Sequence, residues 1–146
     1  MGKGFQLKTG LNADVRYVSE HATAGSFVAG DIVDLNGGKV RIASSDQAIY
    51  GVAAAPATGT VDTQIPVYVV DPSQLWVAYA DGTVTEATHT GNDYGLNIAA
   101  GSCTVDLGDA TTTTVSIIDI DERDAYATTA RVIVRFKNAI LQSQGA

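Results

Sequence analysis

The sequence predicts an all-β protein: a small β-barrel or sandwich of about 8–10 short strands, preceded by an extended N-terminal arm. Three observations predict this fold class. Apolar and polar residues alternate with a period of two in most segments, and helical periodicity is scarce. Turn residues separate these segments roughly every 8–12 positions, as in sandwiches and barrels. Finally, 45% of the residues are hydrophobic and only 17% are charged, which favours a folded core over disorder.

The length of 146 residues fits one domain with a sizeable core. Residues 1–25 show weak alternation and no obvious turn partner. A free terminus of this length would normally be disordered, so we predict an extended arm or edge strand that is tied down by something else. Residues 26–146 are predicted to form a single barrel or sandwich domain.

The segment DIVDLNGGKVRIA is the best-specified hairpin. The residues NGG at 36–38 supply the positive φ angles that a tight hairpin turn needs. Before the turn, Val33 and Leu35 share one face, and after it Val40 and Ile42 do the same. The sequence therefore predicts two antiparallel strands joined at this turn.

Further strand segments follow along the chain. AIYGVAAAP predicts a strand that ends at Pro56, and ATGTVDT predicts a polar loop. QIPVYVV and QLWVAYA both alternate, and only a few residues separate them, so they are predicted to form a second hairpin.

The second half of the chain predicts four more strands and little helix. Residues 46–49 and 86–95 can each hold one helical turn. The strand segments are YGLNI, CTVDL, TTTTVSIIDID and TARVIVRFKNAI. The last of these places Val132, Val134 and Phe136 on one face.

The charge distribution excludes one class of partner. The net charge is −7, and a duplex nucleic acid is not expected to bind because phosphate binding depends on Lys and Arg. Residues 1–16 carry a balance of +2 and residues 125–146 a balance of +3, whereas residues 17–124 carry −12. Either these are solvated strand faces, or the two basic ends lie together and meet an acidic surface.

The sequence indicates a soluble protein made in the cytoplasm. Cys103 is the single cysteine, so no internal disulfide forms, and a buried inert thiol is expected. The N-terminal residues contain no continuous apolar region of the kind found in signal peptides. No apolar run approaches the roughly 18–20 residues of a membrane-spanning helix, so no membrane partner is predicted.

No catalytic or metal-binding motif is visible, so the chain is predicted not to be an enzyme and to need no cofactor. His21 and His89 have no ligands at the spacing of zinc sites. No G-x-S-x-G elbow supports a nucleophilic triad. A nucleotide hydrolase of the trimeric all-β type would need a glycine-rich tail, and the C-terminus KNAILQSQGA holds one glycine.

The segment DIDERD at residues 119–124 is the densest acidic cluster. It begins like a calcium-binding loop, but Arg123 stands where an oxygen ligand belongs and Asp124 where the loop requires glycine. Two interpretations remain open, a charged turn at the end of a strand and a weak, exposed cation site.

Three aromatic residues, Tyr68, Trp76 and Tyr79, fall in adjacent predicted strands. They either pack across strands or form a face on which sugar rings or bases stack. The second interpretation predicts a β-sandwich that binds a carbohydrate or a receptor, and binding that is lost in Trp76→Ala.

Several segments in order resemble the capsid decoration, or cement, proteins of tailed bacteriophages. They are FVAGDIVD, IYGVAAAP, IPVYV, DYGL and the SIIDID…RVIVRF ending, within residues 27–136. The resemblance implies a non-enzymatic virion protein, often a trimer, that binds the capsid exterior and clamps neighbouring major capsid protein subunits. This chain is longer than the smallest members, so the resemblance does not indicate which face meets the shell.

The resemblance also implies that the N-terminal arm pairs with a strand of the capsid protein. Together with the basic ends, this gives nine candidate capsid contacts: Lys3, Phe5, Leu7, Lys8, Leu11, Arg16, Tyr17, Arg131 and Arg135. If the arm acts in this way, deletion of residues 1–16 leaves the barrel folded but abolishes capsid binding.

Overall fold

A computed structural model describes residues 4–9, 15–19, 25–36, 39–43, 49–59, 64–99 and 101–137. Within these residues the chain forms thirteen β-strands and one short helix, α1 (Glu86–His89). The predicted all-β fold is therefore confirmed. In this part of the chain, no helix has the length and apolar character needed to cross a membrane.

The first sheet contains six strands, five of which close into a ring. Its strands are β1 (Gln6–Thr9), β9 (Leu75–Ala80), β10 (Asp93–Asn97), β11 (Thr104–Asp106), β12 (Val115–Ile120) and β13 (Arg131–Phe136). β9 pairs with β13 along one edge and with β11 along the other, and β10 and β12 complete the circuit. β1 also pairs with β9, on the same edge as β11 but closer to the start of the strand. The ring is a small barrel.

The second sheet contains five strands in the order β2, β8, β6, β4, β5. They are β2 (Val15–Ser19), β4 (Ile32–Asn36), β5 (Lys39–Ile42), β6 (Gly51–Ala53) and β8 (Gln64–Val69). The two edge strands β2 and β5 approach each other, so this sheet is strongly curled. A separate two-stranded ladder joins β3 (Gly25–Phe27) to β7 (Ala57–Gly59).

The first predicted hairpin is confirmed. β4 and β5 pair in antiparallel register, and residues 37–38 of the predicted turn lie outside the described residues. Val33, Leu35 and Val40 are buried together in one apolar cluster, as their alternation predicts. The sequence pattern and the two-residue connection therefore specify the same register.

The second predicted hairpin is wrong. β8 belongs to the curled sheet, whereas β9 belongs to the ring. A turn joins the two sheets, and its hydrogen bonds are local. The Gln74 side chain accepts from the Asp71 N–H at 3.0 Å and donates to the Val69 carbonyl oxygen at 3.3 Å. Alternation shows which face of a strand is buried, but it does not identify the neighbouring strand.

Strands also occur in segments where the sequence predicts an arm or a loop. The predicted polar loop at 57–63 contains β7, and residues 1–25 contain β1 and β2. Both of these N-terminal strands pair with strands of their own chain, β1 with β9 and β2 with β8. Strands this short show little alternation, and distant partners decide whether they form.

Two apolar clusters fill the fold. The larger cluster combines the inner face of the ring, including Trp76 and Phe136, with Ile32 and Val52 of the curled sheet. Phe5, which precedes β1, belongs to this cluster as well. The smaller cluster lies on the other face of the curled sheet, around Val33. The ring, the curled sheet and the residue before β1 therefore share one core.

Candidate functional site

The nine candidate contacts are distributed unevenly over the structure. Lys3 and Leu11 lie outside the described residues. Arg16 and Tyr17 lie in β2, where their backbones pair with β8. Phe5, Leu7 and Lys8 lie in or beside β1, and Arg131 and Arg135 lie in β13. β1 and β13 pair with opposite edges of β9, so these two segments from opposite ends of the chain lie on one sheet, whereas β2 lies in the other sheet.

Phe5 is directed into the protein's own core. Its exposed fraction is 3%, and its ring lies 5.6 Å from the ring of Phe136, centroid to centroid. Its N–H donates to the Gly30 carbonyl oxygen at 3.0 Å. Leu7 is half-buried against the same cluster. Phe5 lies two residues before Leu7, so both side chains point to the same side, towards the core. Phe5 therefore has almost no accessible surface with which to contact a capsid protein.

Lys8 forms an ion pair with the acidic turn, the name we give to residues 119–124. Its Nζ lies 3.2 Å from both carboxylate oxygens of Glu122, 114 residues along the chain. The Glu122 backbone N–H and the Lys8 ammonium lower the pKa of Glu122. Both groups are exposed, so solvent screens the ion pair. The pair therefore orients the two side chains and adds little to the free energy of unfolding.

Arg131 forms a two-pronged contact with Asp124 at the other end of the acidic turn. Its Nε donates to Oδ2 at 2.8 Å and its Nη2 donates to Oδ1 at 3.0 Å. The Arg131 backbone N–H also donates to Oδ2, at 2.7 Å. The guanidinium, assisted by this backbone bond, lowers the pKa of Asp124 to about 2. Arg131 is thus neutralised within its own chain.

Asp121 is the buried member of the acidic turn. Its side chain has no exposed surface, and Arg123 binds both of its oxygens, at 2.7 Å from Nε and at 2.8 Å from Nη2. The Arg123 guanidinium holds the pKa of Asp121 well below its usual range. Arg123 stands where a calcium-binding loop has an oxygen ligand. Its guanidinium therefore binds the Asp121 carboxylate that a metal ion would need as a ligand.

The geometry of the acidic turn corresponds to the charged-turn interpretation. Asp121, Glu122 and Asp124 each face a cation from their own chain, and Asp119 accepts hydrogen bonds from the Ile120 N–H and the Tyr126 hydroxyl. Among the residues described, no group of three or more His, Cys, Asp or Glu side chains is arranged to hold a metal ion.

Of the three residues of the proposed aromatic binding face, Trp76 is buried and Tyr68 and Tyr79 are half-buried. Trp76 has no accessible surface, and its ring makes edge contacts with Tyr68 at 6.1 Å and with Phe136 at 6.2 Å between centroids. Its Nε1 is buried without a hydrogen-bond partner. A sugar ring cannot stack on Trp76 in this fold, because protein side chains already cover the indole.

Cys103 and His89 occupy structural positions. Cys103 is buried, and burial raises the pKa of its thiol, which makes the thiolate less accessible. His89 accepts the Thr85 N–H at Nδ1, at 2.9 Å, and its ring lies 5.7 Å from that of Tyr94. The Cys103 thiol is therefore not activated as a nucleophile, and one ring nitrogen of His89 is engaged by the backbone.

The sequence did not reveal the contact that joins the two sheets. Asp31 has no exposed surface, and its carboxylate accepts the N–H groups of Val28 at 3.0 Å and of Gly101 at 2.9 Å. Gly30, at φ +98°, donates to the Ala53 carbonyl oxygen at 2.9 Å and accepts from Phe5. We call this contact region the joint. The residues AGD at 29–31 are typical of a turn. The sequence around them does not identify Gly101, 70 residues later, as a partner of Asp31.

Comparison with known proteins gives no relative: no family model, no curated protein and no solved structure matches the chain.

Proposed function

We propose that this chain is a non-enzymatic structural protein of a tailed-bacteriophage head. It is synthesised in the host cytoplasm and binds the exterior of the capsid as a homotrimer. There it clamps neighbouring subunits of the major capsid protein. It acts without a cofactor, a nucleic-acid partner or a membrane.

The proposal rests on where the structure places residues of the segments that resemble capsid decoration proteins. Gly30 and Asp31 form the joint between the sheets. Gly51 lies where β6 meets β8, and a Cβ there would collide with the Tyr68 carbonyl oxygen. Asp93 starts β10, where its carboxylate accepts from Lys137 at 2.6 Å. These residues maintain shape, which is what a mechanical clamp requires.

The outer face of β12 and β13 is the contact surface that the proposal favours. Arg135 is exposed there, and Ile118, at the register irregularity of β12, is 39% exposed. Arg131 is already bound to Asp124. We therefore assign Arg135 to the capsid and Arg131 to the internal structure. Three copies of such a patch on one trimer would bind by avidity even if each contact is weak.

The experiment that tests the proposal is thermal challenge of DNA-filled phage heads. Heads lacking the chain are incubated with and without the purified protein, then heated while DNA release is followed by a dye. We expect release at a higher temperature when the protein is bound, because a clamp opposes separation of the subunits. An unchanged release temperature at saturating protein would contradict the proposal.

The trimeric state has its own measurement. Light scattering of the purified chain, or of chain released from heads, should give three times the protomer mass of 15.1 kDa. A monomeric mass at every concentration, for both the purified and the released chain, would contradict the trimeric state.

A further inference from the structure

β1 is the strand of the first sheet that lies outside the closed ring. β9 pairs with β13 along one edge and with β11, at Tyr79 and Ala80, along the other. β1 instead pairs with the first half of β9, at Leu75, Trp76 and Val77. If β1 leaves, every strand of the ring keeps both of its neighbours. Its departure therefore opens a strand-sized slot, which we call the β1 slot, without opening the ring.

The β1 slot offers specific contacts besides the free edge of β9. The Gly30 carbonyl oxygen accepts the Phe5 N–H at 3.0 Å. The ring of Phe136 packs against that of Phe5 at 5.6 Å between centroids. Glu122 faces the Lys8 ammonium at 3.2 Å. The slot thus selects an aromatic residue and, three positions later, a cation.

The slot also selects the residue that precedes the aromatic one. A Cβ at Gly4 would lie 2.8 Å from the Cα of Gly30 and 2.9 Å from its carbonyl carbon. Both atoms are backbone, so neither can move aside as a flexible side chain would. The slot therefore requires glycine, an aromatic residue, a spacer, an apolar residue and a cation. The residues GFQLK at 4–8 meet each requirement.

From these requirements we infer that the β1 slot also binds residues 4–9 of a second copy of this chain, so that copies are linked by exchange of β1. The contacts are identical within and between chains, and exchange therefore creates a link without any new complementary surface. The exchanged form is favoured by high protein concentration through mass action. The inference concerns contacts between copies and does not depend on binding to a capsid.

A disulfide between two different variants tests the exchange directly. Gln6 and Val77 are register partners, and directly opposed residues of antiparallel strands are close enough for a disulfide. Full-length Gln6→Cys and Val77→Cys chains carrying distinguishable tags are mixed, unfolded, refolded together and oxidised. Neither chain can form this disulfide internally. We expect a covalent heterodimer whose ratio to monomer rises about tenfold with a tenfold rise in concentration while monomer predominates.

Two controls separate exchange from random oxidation. Gln6→Cys refolded alone gives the background of contacts between exposed thiols. Adding Phe5→Ala to the Gln6→Cys chain removes the aromatic anchor, and should lower the heterodimer yield several-fold. A heterodimer yield equal to the background, or one that Phe5→Ala leaves unchanged, would overturn the inference.

The unmodified chain provides a second readout that does not depend on the folding of the cysteine variants. After refolding at high concentration, light scattering should show an oligomer that dissociates only slowly on dilution, because release of an exchanged strand requires its docking contacts to break. Gly4→Val should not form this species, since its side chain cannot approach Gly30. A Gly4→Val chain that forms the same slowly dissociating oligomer would overturn the inference.

Discussion

At the scale of single residues, the charged groups of the acidic turn act mainly on each other. Arg123 and Arg131 each bind one aspartate with two nitrogens, and Lys8 reaches Glu122 from β1. The basic N-terminal end and the basic C-terminal end are therefore partly neutralised inside the protein. This leaves Arg135 as the exposed cation on β13 that is assigned to a partner.

Asp124 is expected to contribute to the acid sensitivity of the fold. Its pKa is lowered to about 2 in the folded chain, so its stabilising effect is complete above its unfolded pKa of about 3.9 and is lost as the pH falls through 2. Asp124→Asn should therefore flatten part of the decline in melting temperature between these two values. Parallel profiles for Asp124→Asn and the unmodified chain would contradict this role.

Ala127 is held in a left-handed backbone conformation, with φ +68°, while its N–H donates to the Val84 carbonyl oxygen at 2.7 Å. Glycine adopts this conformation without the Cβ clash, so Ala127→Gly should raise the free energy of unfolding by about 0.5–1 kcal/mol. Ala125→Gly, nearby without a positive φ, should instead lower it by about 0.5–1 kcal/mol. Chemical denaturation of the three chains measures both changes, and equal destabilisation by the two glycines would refute the strain.

Arg135 should matter for binding to heads and not for folding. Arg135→Glu reverses an exposed charge, so we expect at least a tenfold loss of affinity for heads, about 1.4 kcal/mol, with little change in melting temperature. Arg135→Lys keeps the charge and should retain most of the affinity. Equal affinity of Arg135→Glu and the unmodified chain for heads would contradict the assignment of Arg135 to the capsid contact.

At the scale of elements, the sequence predicts which face of a strand is buried, but it predicts poorly which strand pairs with it. The β4–β5 hairpin is predictable because Val33, Leu35 and Val40 alternate on both sides of a glycine-rich turn. The same alternation in β8 and β9 leads to a wrong hairpin, since their partners are distant strands. A local pattern carries no information about which distant edge a strand will join.

The N-terminal strand changes what a deletion is expected to do. The arm hypothesis predicts that removal of residues 1–16 leaves the fold unaffected, but Phe5 is buried against Phe136. Phe5→Ala alone should lower the free energy of unfolding by about 3–5 kcal/mol, as for other buried phenylalanines. Val28→Ala, at a 38% exposed position, should change it by less than about 0.5 kcal/mol. Denaturant unfolding compares them, and similar values would mean that Phe5 is not part of the core.

At the scale of the whole molecule, the predicted fold class is confirmed, but the contacts between distant segments were not predictable from the sequence. Composition and alternation are properties of the whole chain and predict an all-β protein reliably. Lys8 and Glu122 lie 114 residues apart, and Asp31 and Gly101 lie 70 residues apart. Such contacts arise only when the sheets assemble. For this reason the sequence predicts an arm or edge strand without identifying what ties it down, whereas the structure pairs β1 with β9 of the same chain.

The joint connects the two sheets through buried hydrogen bonds. Asp31 reaches the loop before β11, and Gly30 connects the chain before β1 with the end of β6. Hydrogen bonds in a site without solvent exposure are costly to break, because the separated groups would remain buried and unpaired. The buried hydrogen bonds of the joint therefore oppose separation of the curled sheet from the loop before β11 and from the residue before β1.

A sedimentation assay measures whether the chain binds phage heads, which is the step on which the proposed clamp depends. Purified chain is mixed with expanded heads and, separately, with unexpanded precursor shells of the same phage, and the bound protein is counted after sedimentation. We expect saturable binding to expanded heads, with three chains at each occupied site. Chain that stays in the supernatant at all concentrations, while heads and protein are both intact, would contradict it.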